Sequence, residues 1–165
     1  MEKFLMNNRN IILRHSLFCT HYQEILHDEK DRIFCRHDIN HFLSVARIAM
    51  ILNVTEKYNI DEEIIYATAL LHDIGRHEQY KTGVDHAAAS TSIAKNILND
   101  CTFSSQEKKL ILTAISCHSD KRIEHSRSLY GLIYRADKLS RNCFCCEVYQ
   151  KCKWTDEKKC RNLIY

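Results

Sequence analysis

His72 and Asp73 stand side by side in the run Leu70-Leu71-His72-Asp73-Ile74-Gly75, with His41 upstream and Asp137 downstream. Imidazole and carboxylate together suit iron, manganese, zinc, nickel or, with more oxygen, magnesium, and a carboxylate can bridge two ions. A divalent ion at such a site lowers the pKa of a bound water from ~15.7 toward ~7 and neutralises charge on phosphoryl oxygens. The chemistry such a site can supply is metal-assisted hydrolysis. A His-Asp pair alone says little, because it is common by chance, so the weight rests on where the other polar residues fall.

The elements that must position these residues read as helices. Residues 9–28 form one amphipathic stretch, with Leu17, Phe18, Tyr22, Ile25 and Leu26 on one side. A second helix is expected over 39–58, capped by Asp38, and a third from Asp61, whose carboxylate caps it while Glu62 and Glu63 suit the positive end of its dipole. Gly75 is placed to stop that helix. A fourth runs from Asp85 to Asn99; a fifth opens on the capping-box pattern Ser104-Ser105-Gln106-Glu107 and reaches Ser119; a sixth spans 127–141.

On these helices the metal-binding residue types share the apolar stripe. His41 lines up with Val45, Ile48 and Leu52, and His72 with Ile65 and Thr68. His86 aligns with Ser90, Ile93 and Ile97, His118 with Ile111, Ala114 and Ile115, and Asp137 follows Leu129, Ile133 and Ala136. One inward histidine is ordinarily a core residue bonded to a carbonyl. Two inward aspartates are another matter, since a buried carboxylate without a compensating cation costs several kcal/mol. The set is best reconciled by one or two bound divalent ions.

The composition agrees with a helical domain. In 165 residues there is no proline and only three glycines, too little turn punctuation for a β-sandwich or a Rossmann fold. The length suits one domain. A net charge of +3, with acidic and basic residues interspersed, gives no electrostatic case for nucleic acid, while a small phosphorylated partner fits. The first residues lack the basic start and apolar core of a signal peptide, no run approaches the ~18 apolar residues of a membrane span, and nine cysteines without an export signal suggest thiols or metal ligands. A cytoplasmic protein is expected. An amphipathic helix packs on a partner subunit as readily as on its own core, so a homo-oligomer stays open.

Five ordered segments resemble the HD superfamily of metal-dependent phosphohydrolases: His41-Phe42-Leu43-Ser44-Val45-Ala46, the central Leu70 to Gly75, Asp85-His86-Ala87, Ala114-Ile115-Ser116-Cys117-His118-Ser119, and Arg135-Ala136-Asp137-Lys138-Leu139. The resemblance covers 41–141 and implies an all-α, single-domain HD-type bundle over 1–141, followed by a cysteine-rich tail over 142–165. It also implies that His41, His72, Asp73 and Asp137 hold the principal ion. His86 and His118 then complete a second ion's shell with Asp73 as the bridge, and Asp73 and His72 stand at the centre of catalysis. Branches that cleave cyclic dinucleotides carry two consecutive histidines where this chain has His118-Ser119, and a Gly-Tyr-Pro element that it lacks. Membrane-anchored endoribonucleases of the superfamily carry a nucleic-acid-binding domain for which there is no room. The segment order is similar to that of small nucleotide hydrolases, including those that split dinucleoside polyphosphates. The alternative is a non-catalytic sensor that holds an ion or a nucleotide without turnover, or a structural metalloprotein.

Cations near the motifs that could receive phosphate are Arg76, Lys81, Lys121, Arg122, Lys138 and Arg141, with Arg76 foremost because it follows Gly75 directly. His37 is expected at the rim without a role, and His15, His21, His27, His77 and His125 show no comparable pattern. In the tail, Cys143, Cys146 and Cys152 are spaced C-x2-C-x5-C, resembling the trio that helps hold an iron-sulfur cluster in some DNA-processing nucleases. With Cys160 or Cys145 they could equally form a zinc knuckle, or they could be reduced thiols on a short helix packed by Trp154.

Overall fold

In a computed structural model, which describes residues 7–165, eight α-helices follow one another and the described residues contain no strand. They are α1 (Asn8–Arg14), α2 (Ser16–Asp28), α3 (Ile39–Thr55), α4 (Glu62–Leu71), α5 (Arg76–Thr82), α6 (His86–Asn99), α7 (Ser105–Cys117) and α8 (Leu129–Leu139). The all-α expectation holds. Helix α3 packs against both α4 and α8, α6 lies along α7, and α4 and α7 touch each other and α8. Phe42, Leu52, Ile65, Leu70, Ile97, Ile111, Ile115 and Leu132 fill the space between them. No described helix is long and apolar enough to cross a membrane.

The local stops and starts follow from side chains that compete for backbone groups. The single helix expected over 9–28 is broken at His15, whose backbone is extended (φ −67°, ψ 133°) and whose Nδ1 accepts from the Leu17 amide, capping α2. Helix α3 begins as expected, with Asp38 accepting from the His41 amide at 3.0 Å, but it ends at Thr55 rather than 58. There Lys57 and Asn59 both take positive φ (57°), and the Asn53 side chain brackets Ile60 by donating to its carbonyl (2.9 Å) and accepting from its amide (3.0 Å). Asp61 caps α4, and Ser104 with Glu107 forms the full capping box of α7. Helix α8 is two residues shorter at each end than the 127–141 expected.

Gly75 has a different task from the one expected of it. Helix α4 stops at Leu71, and Gly75 keeps an ordinary φ of −91° as the residue that leads into α5, an element absent from the sequence reading. A Cβ built on Gly75 would sit 2.4 Å from the Ser90 amide nitrogen and 2.7 Å from the Ala89 carbonyl carbon. The glycine is therefore required by the crossing of α6, and its own amide donates to Ser90 Oγ at 2.9 Å.

The segment between α2 and α3 is held from inside by Glu29, which is only 3% exposed. Its carboxylate accepts from the His37 amide (2.7 Å) and from Tyr80 Oη, and meets His37 Nδ1 at 2.5 Å. Burial alone would raise the Glu29 pKa, but the hydrogen bonds of the His37 ring and amide and of the Tyr80 hydroxyl outweigh it and bring it down to about 2. Residues 142–165 contain no α-helix, only three short 3-10 turns, with Arg141 stacked 3.9 Å over the ring of Trp154.

Two stability outcomes follow. Gly75→Ala should cost about 1–3 kcal/mol, because the backbone of α6 cannot move aside as a flexible side chain would; a denaturant midpoint equal to that of the parent would show that α6 has room. Glu29 is ionised at neutral pH in both states, so the stability its depressed pKa represents is complete above about 4.5. It is lost as the pH falls toward about 2, a change of up to about 3 kcal/mol. Unfolding measured across that acid window should show a shallower pH slope for Glu29→Gln than for the parent.

Candidate metal centre

The ligand-type side chains predicted from periodicity converge. One oxygen of Asp73, Oδ2, lies 3.3 Å from His72 Nε2 and 3.7 Å from His41 Nε2, whose own nitrogens are 3.3 Å apart. Asp137 Oδ1 closes this group at 3.6 Å from His41 Nε2 and 4.0 Å from His72 Nε2. The other oxygen, Oδ1, lies 3.5 Å from both His86 Nε2 and His118 Nε2, which are 3.1 Å from each other. Asp73 thus divides six residues into two sets whose ligand atoms lie within 4.8 Å of one another: His41, His72, Asp73 and Asp137, and Asp73, His86 and His118.

The backbone prepares these side chains. His72 and His118 are the residues at which α4 and α7 end, and each brings its Nδ1 to 2.7 Å from the carbonyl three residues earlier, Ala69 and Ile115. A carbonyl only accepts, so Nδ1 carries the hydrogen and Nε2 presents a lone pair to the site. That is the arrangement by which an outer hydrogen bond fixes the tautomer of a ligating imidazole. His41 sits in the first turn of α3 with Ser140 Oγ 3.3 Å from its Nδ1, and His86 opens α6 after the Asp85 cap.

Burial and charge oppose each other here. Burial would raise the pKa of Asp73, yet the imidazoles of His72, His118 and His41 hold the carboxyl well below its ordinary value. Asp137 behaves alike: burial is outweighed by Lys138, whose Nζ is 2.5 Å from Oδ2, and by His72 and His41. Desolvation lowers His72 and pushes His86 down to about 4, which favours the neutral, ligating ring. For His118 the attraction of Asp73 and the Ile115 carbonyl overcomes burial, and the pKa is raised. At 3.5 Å, too long for a hydrogen bond, the rings leave Asp73 Oδ1 buried without a partner. A buried, unpartnered carboxylate oxygen flanked by two inward-facing nitrogens fits a divalent cation.

The expected phosphate-receiving cations separate. Arg76 donates through Nη2 to His37 Nε2 (3.1 Å) and through Nη1 to Gln79, and Lys138 is on Asp137, so both touch groups of the centre. Lys81 instead pairs with Glu24, Arg122 forks onto Asp120 while 90% exposed, Arg141 covers Trp154, and Lys121 is exposed on the turn Lys121–Ile123. His37, expected at the rim, is instead 7% exposed, with Nε2 3.7 Å from Asp73 Oδ2 and Nδ1 on Glu29. Its link to Glu29 spans an irregular segment, so no periodicity signals it; only its place one turn before His41 hinted at the site.

The tail thiols do not gather as their spacing suggested. All are free, and none belongs to a group of three ligand atoms within 4.8 Å among the described residues. Cys35, from the segment before α3, lies within electrostatic reach of Cys143, Cys146 and Cys160. The C-x2-C-x5-C trio therefore does not form a common site.

Comparison with known proteins gives a consistent result. The HD domain pattern matches residues 38–142, which spans every ligand position described above. An uncharacterized protein of Clostridium beijerinckii is 41% identical over 160 residues, covering 97% of this chain and 100% of its own length. A crystal structure of a predicted HD superfamily hydrolase from an uncultured Thermotogales bacterium superimposes with a TM-score of 0.62 at 26% identity, over 93% of this chain and 87% of that one. With the two-sided Asp73 centre and the ordered histidines in place, the chain belongs to the HD family of metal-dependent phosphohydrolases.

Proposed function

We propose that the protein hydrolyses a phosphate ester or anhydride of a nucleotide or a similar small phosphorylated molecule. The observation that carries this reading is Asp73, whose two oxygens each face a separate pair of imidazole nitrogens. His41, His72, Asp73 and Asp137 would hold one divalent ion, and Asp73, His86 and His118 a second. Such ions supply Lewis acidity toward a phosphoryl oxygen and acidify water at neutral pH.

The remaining work falls to side chains of this chain. Arg76 is the cation best placed to receive phosphoryl oxygens, since its guanidinium already reaches the rim of the centre and its Nε is buried without a partner. Glu29 holds His37 through Nδ1, and His37 accepts from Arg76, so a buried carboxylate two steps away sets the direction of the guanidinium. Lys138 restrains Asp137 and places a second positive charge beside it. His41, His86 and Asp137 keep 11–15% side-chain exposure, so the centre is open to a small ligand on that side while His72 is sealed. The irregular tail belongs, in this reading, to a separate extension over 142–165 that leaves the HD-type domain of 1–141 complete.

Phosphate release from a panel of mono-, di- and polyphosphorylated nucleotides, with manganese or anaerobic ferrous iron, tests the reading. Asp73→Asn should lower turnover at least ~100-fold while circular dichroism stays that of the parent. Stoichiometric ion binding by the parent with no phosphate released from any member of the panel would instead favour a non-catalytic sensor. Arg76→Ala should raise KM for the active substrate about 10-fold or more, as expected for loss of a hydrogen bond to a charged group, with a smaller effect on kcat. An unchanged KM would remove Arg76 from the substrate's path.

A further inference from the structure

A second constellation of ligand-type atoms lies between α2 and α5 and shares no residue with the centre built on Asp73. His21 Nδ1 and His77 Nε2 approach to 2.7 Å, and Glu78 Oε1 is 3.8 Å from the same His77 nitrogen. The three ligand atoms lie within 4.8 Å of one another. We propose that His21, His77 and Glu78 form a further divalent-cation site, of the two-histidine, one-carboxylate type that zinc occupies with a fourth position left to water.

Four observations support it. The His77 side chain is 4% exposed, yet its Nδ1 has no hydrogen-bond partner, and Asp28 Oδ2, from the same stretch of α2 and within electrostatic reach of His77, is buried and unpartnered too. A buried Nδ1 is the position from which an outer hydrogen bond orients a ligating imidazole. Glu78 is 38% exposed, which gives an ion a route from solvent. The local charge also favours a cation: around the two rings stand Glu24, Asp28 and Glu78 against Lys81, which is already paired with Glu24. Burial lowers both histidines, the direction that yields neutral rings able to ligate.

Without an ion, two neutral rings at this separation share one N–H···N bond. Zinc–nitrogen bonds of ~2.0–2.1 Å at a tetrahedral angle put the nitrogens ~3.3 Å apart. Occupation therefore needs only a small opening of the α2–α5 seam and a change of tautomer in the donor ring, whose proton moves to its outer nitrogen. Helix α5 begins with Arg76, so an ion here would pin the element that presents that guanidinium to the centre.

Zinc equivalents bound per chain after removal of free ion, measured by elemental analysis, test the site independently of any enzymatic activity. The parent should bind about one zinc more than His21→Ala. In an Asp73→Asn, His118→Ala background, which removes the bridging carboxylate and one imidazole of the other centre, zinc should still raise the melting temperature, and adding His21→Ala should diminish that rise. Glu78→Gln, a change at an exposed side chain with little risk to folding, should weaken this zinc binding at least ~10-fold. Equal zinc content in the parent and His21→Ala, or no zinc-dependent rise in that background, would reduce the His21–His77 contact to a hydrogen bond and overturn the proposal.

Discussion

The rest of the fold is arranged around a carboxylate that has been taken out of water. Asp73 is 4% exposed in a domain whose interior is built mostly of Ile, Leu, Ala and Phe. An isolated charge there would be prohibitive, and a lone deletion partner would leave the deficit in place. The balance comes from imidazoles brought in from α3 and the ends of α4 and α7: His41, His72 and His118 hold Asp73 ionised, and together with His86 of α6 they point their Nε2 atoms at its two oxygens. No single helix could do this, because neighbours on one helix face are spaced by turns and cannot surround a point. The bundle is what allows the encirclement.

Helix ends are the means by which the encirclement is made rigid. The last carbonyls of a helix lack intrahelical donors. His72 and His118 meet that need for Ala69 and Ile115 with Nδ1, and in doing so fix which nitrogen faces inward. The two histidines thus repeat one local solution on α4 and α7, one for each oxygen of Asp73. His41 and His86 come from the other polarity: both lie in first turns capped by aspartates, Asp38 and Asp85, so their backbones are fixed before any side chain is considered. The order of the helices determines which rings meet, and the caps determine how accurately.

This division explains how much could be read from the chain alone. Inward histidines and aspartates on apolar stripes are a local property of helical periodicity, so His41, His72, Asp73, His86, His118 and Asp137 were legible as a set, as were the caps Asp38, Asp61 and Ser104. Features that depend on two distant segments were not. The need for glycine at position 75 arises only because α6 crosses there. The burial of His37 depends on Glu29 across an irregular stretch of chain, and the break at His15, though local, rests on its own ring capping α2, a cap that histidine seldom supplies. The tail spacing likewise carried no sign of Cys35, which lies within electrostatic reach of the tail thiols from more than a hundred residues away in the sequence.

One constraint remains, the position of Asp137, which must reach His41 from a helix that ends two residues later. The opposite face of α8 supplies it. Arg135 donates to both oxygens of Glu56 at 2.8 Å and to the Tyr58 hydroxyl at 2.9 Å, in a pair of parallel bonds that resists rotation better than a single contact would. Glu56 directly follows α3, and Tyr58 sits in the tight reversal made by Lys57 and Asn59, so this clamp ties the start of the α3–α4 connection to the middle of α8. The Ser140 hydroxyl, one turn beyond, donates to the Asp137 carbonyl and stands beside His41 Nδ1. Helix α8 is therefore fixed to both ends of α3, and the separation of Asp137 from His41 is set by backbone and clamp together. A small helical domain can in this way hold two carboxylates close to the same imidazoles without a β-sheet to brace them.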